Sequence, residues 1–221
     1  MRVLVIAPHP DDEVLGCGGV MARHATNGDD VHVVVGTRGI EEKFPAAFID
    51  KIRSELANAH AVLGVQRVKY LDFPAPCLDT VPRYKIADAL AAVFAEFKPS
   101  MIYVPHHGDI HADHGHLYHA ALVAARPIAG CPVKRILAYE TLSETEWAPP
   151  EAGSVFFPTV FVNIETHLQQ KLDAMACYQS QLKEPPNPRS LSNIESLARL
   201  RGATVNMHAA EAFMLIRDVL D

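Results

Sequence analysis

The 221-residue sequence has the length of one α/β domain, and its 49% hydrophobic and 21% charged residues are typical of a folded globular protein. Its formal net charge of −6 leaves no basic footprint for nucleic acid, so a nucleic-acid partner is not expected. No apolar run reaches the ~20 residues of a membrane-spanning helix, and the four scattered cysteines predict reduced thiols in a cytoplasmic protein. The choice between a monomer and a homo-oligomer stays open.

The hydrophobic pattern of the first 125 residues predicts strands that alternate with helices. Proline-rich residues 72–82 and polar residues 106–111 are expected to form loops. The alternation predicts a Rossmann-like α/β fold, with a mostly parallel sheet and helices on both of its faces. In chain order we predict strand 2–6, helix 13–27, strand 31–35, helix 46–63, strand 68–71, helix 84–97, strand 101–104 and helix 113–125.

The remainder of the chain has a less regular pattern. It predicts strands at 135–140 and 159–162 and helices at 165–181 and 190–200. No repeat, low-complexity tract or linker interrupts the sequence, so a single domain over residues 1–221 is the simplest interpretation.

Two polar clusters follow two of the predicted strands. The first contains His9, Asp11, Asp12 and Glu13, directly after strand 2–6. Ligands of open α/β sheets bind beyond the carboxyl ends of the strands, so we expect both clusters at one edge of the sheet. The second cluster, after strand 101–104, contains His106, His107, Asp109, His111, Asp113, His114, His116 and His119.

One aspartate and two histidines that converge from these clusters make a site for a divalent metal, with zinc as the default and Fe²⁺, Co²⁺ or Mn²⁺ as alternatives. Such an ion lowers the pKa of a bound water to about 7. Because Asp11 and Asp12 are adjacent and point in different directions, one can bind the metal while the other acts as a general base. His111 and His114 lie three apart on a predicted helix, so one can bind the metal while the other faces the reacting group.

Simpler interpretations compete with these. Asp12 directly precedes one predicted helix and Asp113 begins another, so the competing interpretation is that each aspartate is simply a helix cap. The remaining histidines of the second cluster are expected to be loop or helix-surface residues: His106, His107, His116 and His119. The glycines at 16, 18 and 19 do not follow a strand directly and come after three carboxylates, so they predict close helix packing rather than a dinucleotide site.

At these residues the sequence resembles the LmbE/PIG-L family of zinc-dependent N-acetylglucosaminyl-type deacetylases. The segments "PHPDDE" at 8–13 and "HADH" at 111–114 resemble the two metal motifs of the family. The segment "RSELANAHAVLGV" at 53–65 resembles its arginine-bearing helix. The segments "CYQSQL" at 177–182 and "LARLRGATVNMHAAEAF" at 197–213 resemble its C-terminal part.

The resemblance implies a role for seven residues. It implies that His9, Asp12 and His114 bind zinc and that Asp11 is the general base. It further implies that His111 stabilises the oxyanion and protonates the leaving amine, that Asp113 orients His111 and keeps it protonated, and that Arg53 contacts the substrate.

The implied activity is zinc-dependent removal of the N-acetyl group from an N-acetylated amino sugar or its conjugate, a nucleotide sugar included, with release of acetate. Two alternatives stay open: an amidohydrolase that acts on another N-acyl substrate, and a non-catalytic Rossmann-type nucleotide-binding module. Four arginines are candidates to meet an anionic group of the substrate: Arg38, Arg53, Arg189 and Arg201.

Overall fold

The computed structural model describes residues 1–128 and 130–220. The strands are β1 (Arg2–Ala7), β2 (Asp30–Gly39), β3 (Arg67–Ala75), β4 (Met101–Pro105), β5 (Arg135–Tyr139), β6 (Val160–Asn163) and β7 (Ala210–Asp218). The helices are α1 (Asp12–Thr26), α2 (Ala46–Leu63), α3 (Arg83–Phe97), α4 (Ala112–Ala124), α5 (Leu168–Ala176) and α6 (Leu191–Ala203). Two short 3-10 helices lie at Leu78–Thr80 and Glu165–His167.

The strands form one seven-stranded sheet in the order β3-β2-β1-β4-β5-β7-β6. Strands β1 to β5 run parallel to one another, whereas β7 runs antiparallel to both β5 and β6. Val3 of β1 pairs with Met101 of β4, so the two strands run side by side and deliver the segments that follow them to the same edge. The predicted mostly parallel α/β sheet is confirmed.

Strand β1 explains why helices cover both faces of the sheet. Successive side chains of a strand point to opposite faces. Val3 and Val5 pack into a cluster with α1, α2, α5 and α6, whereas Leu4 and Ile6 pack into a second cluster with α3 and α4. All four side chains are buried. The sequence of β1 is therefore continuously apolar, whereas a strand with one exposed face would alternate apolar and polar residues.

Strand β3 is longer than the sequence pattern predicts. The expected loop at 72–82 begins only after Ala75, because Phe73, Pro74 and Ala75 still pair with β2. The register shifts opposite Val35 and Thr37, and Asp72 has a φ of 55°. Proline is tolerated here because β3 is an edge strand of the sheet.

Two further differences lie in the C-terminal part. The helix predicted at 165–181 is a 3-10 turn followed by α5, which ends at Ala176. The chain leaves the helix there, and Tyr178 is inserted into the core. Strand β7 is not among the predicted elements, because its place between β5 and β6 depends on pairing with strands distant in sequence.

Among the described residues, no helix combines the length and the apolar character that crossing a bilayer requires.

Candidate active site

The two polar clusters meet where β1 and β4 end side by side. Asp12 is the first residue of α1, and His114 lies in the first turn of α4. With His9 they form a group whose metal-binding atoms all lie within 4.8 Å of one another. Asp12 Oδ2 lies 3.1 Å from His9 Nδ1 and 3.3 Å from His114 Nε2. Three residues of the predicted site therefore converge on one point.

Each imidazole of this group is held from behind by a carboxylate. His9 Nε2 donates to Asp113 Oδ2 at 3.1 Å, and His114 Nδ1 donates to Asp109 Oδ2 at 2.7 Å. The carboxylates are themselves anchored: Asp113 Oδ1 accepts from the Leu78 backbone N–H, and Asp109 Oδ1 accepts from the Thr145 hydroxyl. The second nitrogen of each ring consequently faces the common point with Asp12.

Three features of the group suit a divalent cation. Asp12 Oδ1 and His114 Nε2 are buried and make no hydrogen bond to any described residue. Burial lowers the pKa values of His9 and His114, but the surrounding carboxylates outweigh burial and raise them to about 9 and about 10. Burial raises the pKa of Asp12, yet the two histidines hold it well below its usual value. The cluster therefore attracts positive charge, and His/Asp donors are ligands of zinc and similar ions.

Asp11 sits beside this group but faces a different neighbour. Its backbone has a φ of 106°, which is uncommon for a residue with a side chain. Asp11 Oδ2 accepts from Arg189 Nη1 at 2.7 Å, and the carboxylate is buried. Burial raises its pKa to about 8, with the Arg189 cation opposing the shift and the Asp12 carboxylate adding to it.

Asp11 is also held through its backbone. Its N–H donates to Glu13 Oε2 at 3.1 Å, while Glu13 Oε1 contacts His60 Nε2 at 3.2 Å and accepts from the Tyr178 hydroxyl at 2.5 Å. Glu13 is fully buried. The bend that separates Asp11 from Asp12 is therefore supported by α2 and by the segment after α5.

His111 is the residue that caps α4. Its Nδ1 accepts from the backbone N–H of Asp113 at 3.2 Å, which leaves Nε2 as the nitrogen that carries the proton. The Asp113 carboxylate is 4.0 Å from His111 Nδ1 and bonds His9 instead. Burial and the nearby His9 cation lower the pKa of His111 to about 4.

Arg53, the seventh predicted site residue, lies in the wall of a cavity of about 250 Å³ that His9, Asp11 and His111 also line. Its Nη2 donates to Asp72 Oδ1, and its guanidinium stacks 4.4 Å from the centre of the Tyr70 ring. The structure thus places Arg53 in the same cavity as the reacting groups, but already paired.

The structure also shows the surroundings of His106, Arg201 and the glycines, which the sequence analysis discussed. His106 is buried and donates to the Ser154 carbonyl oxygen at 2.7 Å, so it holds a loop. Arg201 pairs with both oxygens of Glu140 and lies outside this cavity. The glycines pack closely as expected: a Cβ on Gly16 would lie 2.2 Å from the Tyr139 ring.

Sequence reasoning assigned no role to three residues that complete the site. Asp109 belongs to the second polar cluster, and its position five residues before His114 was the available signal. Arg189 was considered only for anionic substrates, whereas it holds Asp11. Tyr178 lies in the quoted segment 177–182, but only its contact with Glu13 reveals what it does.

Comparison with known proteins adds a family context. The sequence profile of a family described as GlcNAc-PI de-N-acetylase, PIG-L, matches residues 4–125. The uncharacterized deacetylase YaiS of Escherichia coli K12 is 32% identical over 187 residues, covering 80% of this chain and 90% of the relative. A 1D-myo-inositol 2-acetamido-2-deoxy-alpha-D-glucopyranoside deacetylase of Rhodococcus jostii is 25% identical, covering 98% and 91%. The crystal structure of a conserved protein from Thermus thermophilus matches with a TM-score of 0.80 and 27% identity, covering 99% and 96%.

Proposed function

The chain belongs to the PIG-L family of GlcNAc-PI de-N-acetylases, and from this premise we propose that it is a metal-dependent hydrolase that removes the acetyl group from an N-acetylated amino sugar or its conjugate. The substrate class comes from relatives such as the Rhodococcus jostii deacetylase of an acetamido sugar. The observation that carries the proposal is the convergence of His9, Asp12 and His114 on one point, next to the acidic side chain of Asp11, which lines the same cavity as His9.

His9, Asp12 and His114 would hold the ion, with Zn²⁺ as the proposed metal and Fe²⁺, Co²⁺ or Mn²⁺ suited to the same ligands. A divalent ion at this position supplies Lewis acidity, which polarises a carbonyl group and makes water a better nucleophile near neutral pH.

Asp11 is the proposed general base. It is the carboxylate of the first cluster that lines the cavity, whereas Glu13 is bonded to His60 and Tyr178. Arg189 occupies Oδ2, which leaves Oδ1 to take a proton from the attacking water. A base whose pKa lies near the working pH transfers protons efficiently, and burial moves Asp11 in that direction.

His111 is the proposed donor to the oxyanion. Its Nδ1 is fixed by the Asp113 backbone, and therefore its Nε2–H is available to the developing negative charge on the acetyl oxygen. The ring lies 4.5 Å from that of His9, centre to centre, which places the donor beside the metal ligands. Asp113 acts indirectly: its carboxylate positions His9 and its N–H positions His111.

The decisive experiment compares Asp11→Ala with Asp12→Ala. Bound metal is measured by elemental analysis, and acetate release is measured with N-acetylglucosamine conjugates. We expect Asp11→Ala to keep its metal and to lose about 10²- to 10⁴-fold in turnover, the size of a general-base contribution. We expect Asp12→Ala to lose the metal, because it removes the central ligand.

The control is Asp88→Ala, which removes an exposed aspartate of α3 and should leave both readouts unchanged. Wild-type turnover that survives complete removal of metal by a chelator would overturn the proposed mechanism. Absence of acetate release from every N-acetylated amino sugar would overturn the proposed activity.

We also propose that the protein works in a reducing compartment such as the cytoplasm. The four cysteines are free, and the support is that thiols persist in reducing surroundings. Fractionation of the native host, with the protein detected by antibody, tests this.

A further inference from the structure

We propose that the substrate carries an uncharged apolar substituent next to its amide, and that the apolar wall of the cavity binds this group. The inference rests on the proposed function, since it names the class of amino-sugar conjugate that the site accepts. The apolar wall consists of Phe44, Phe48, Ile49, Ile52, Tyr70 and Pro76.

The wall and the reacting groups belong to one cavity. His9, Asp11 and His111 line it on one side, and the first half of α2 lines it on the other. Phe48 and Ile52 are four residues apart on this helix, as are Ile49 and Arg53, so a single face of α2 is turned to the cavity. A substrate held by its amide at His111 therefore extends toward α2.

The side chains of the apolar wall are held in place by packing. A Cβ on Gly39 would lie 2.7 Å from the Phe44 ring, so the absence of a side chain at this end of β2 allows Phe44 to pack flat against the backbone. Phe44 in turn stacks on Phe48, with ring centres 5.8 Å apart and planes 20° from parallel. Both rings remain partly accessible, whereas Ile49 is buried behind them.

The charges around the cavity argue against an anionic substituent. Each of the three arginines in its lining is paired with a carboxylate: Arg53 with Asp72, Arg189 with Asp11 and Glu144, and Arg38 with Glu41. An incoming phosphate or carboxylate would compete with these partners and would enter a cavity that the carboxylates of Asp11 and Glu144 also line. A neutral apolar group instead gains from leaving water without any such exchange.

The apolar group has two chemical sources: an aglycone at the anomeric carbon of the N-acetylated sugar, or an acyl chain longer than acetyl, in which case the longer carboxylate is released in place of acetate. The test compares kcat/KM for four substrates: methyl, 4-nitrophenyl and uridine-diphosphate conjugates of N-acetylglucosamine, and the methyl glycoside of N-octanoylglucosamine. We expect the aryl glycoside or the octanoyl amide to exceed the methyl glycoside by about tenfold or more. We expect the nucleotide conjugate to fall below it.

Variants of the apolar wall test whether this wall causes the preference for apolar substrates. Phe48→Ala and Ile52→Ala should each remove most of the advantage of the apolar substrate over the methyl glycoside, because the apolar substituent loses its contacts. Phe157→Ala removes a phenylalanine that is 73% exposed and does not line the cavity, and it should leave all ratios unchanged. Thermal unfolding verifies that each variant is folded.

Two results would overturn the inference. One is a nucleotide conjugate that matches or exceeds the apolar substrates in kcat/KM. The other is an apolar advantage that survives in both Phe48→Ala and Ile52→Ala. Calorimetric binding of the aryl glycoside to Asp11→Asn separates this inference from the proposed function: binding that requires Phe48, without acetate release by the wild type, would refute the activity and retain the apolar site.

Discussion

Each imidazole of the candidate metal centre has one nitrogen turned to the centre and the other held by a carboxylate. The chain of contacts runs from Asp113 through His9 to Asp12, and from Asp109 through His114 to the same residue. A carboxylate behind a metal-binding histidine fixes the ring orientation and makes the free nitrogen a better donor. We therefore expect Asp109 and Asp113 to influence the affinity for a metal although neither faces the common point.

Asp109→Asn tests this at the residue scale. The amide keeps the size of the side chain but loses the charge that holds His114 Nδ1–H, so we expect zinc affinity to fall about 10- to 100-fold. Competition with a fluorescent chelator measures the dissociation constant. The matched control is Asp79→Asn, an exposed aspartate in the 3-10 helix at Leu78–Thr80. Equal affinity in wild type and Asp109→Asn would contradict the assigned role.

At the scale of elements, Glu13 connects three parts of the chain behind the site. It belongs to the first turn of α1, contacts His60 of α2, and accepts from the Tyr178 hydroxyl after α5. Its other oxygen holds the N–H of Asp11, whose φ of 106° is unfavourable for a residue with a side chain. The bend that separates the proposed base from the metal ligand is thus maintained by packing of helices.

Tyr178→Phe tests this connection. It removes a buried hydrogen-bond donor and leaves Glu13 Oε1 with only its contact to His60. We therefore expect the free energy of unfolding to fall by about 1–3 kcal/mol. Tyr84→Phe, at a 64% exposed tyrosine of α3, should change it by less than about 0.5 kcal/mol. Urea denaturation followed by fluorescence measures both. An unchanged midpoint for Tyr178→Phe would show that Glu13 does not depend on this bond.

At the scale of the whole molecule, the site lies where the strand order reverses. From β1 the chain adds β2 and β3 on one side of the sheet, and β4 and β5 on the other. The loops after β1 and β4 diverge at such a point and leave a crevice between them. The proposed metal ligands come from both sides of this crevice, so an ion bound there would connect the two halves of the sheet.

Metal removal should therefore destabilise the entire fold. An ion at about 100 times its dissociation constant adds about 2.7 kcal/mol if it binds only the folded state. For a protein of this size that corresponds to roughly 5–11 °C in the unfolding temperature. Differential scanning calorimetry with and without chelator measures the shift, which Asp88→Ala should retain and Asp12→Ala should lack. A wild-type unfolding temperature that does not respond to chelator would refute a metal site at this crevice.

The sequence by itself determined the features that depend on neighbours along the chain. The continuous apolar run of β1 predicts a strand buried on both faces, and the helical spacing of 46–63 with Gly64 after it predicts α2 to the residue. The positions of the two polar clusters after strands of a parallel sheet predict that they meet. The strand ends leave open which aspartate and which histidine bind the metal, and the set His9, Asp12 and His114 is implied by the resemblance to the family.

Only the tertiary structure decided which partner each side chain has. The contacts His9–Asp113 and Asp11–Arg189 join residues 104 and 178 positions apart, and no local pattern encodes them. The same holds for β7, whose pairing depends on β5 and β6, and for the pairing of Arg53 and Arg189 in the cavity wall. Periodicity records which face of an element is apolar, whereas partner choice depends on how packed elements bring distant side chains within reach. In this protein, the pairing of Arg53 and Arg189 with carboxylates is the reason why we propose an apolar rather than an anionic ligand for the cavity.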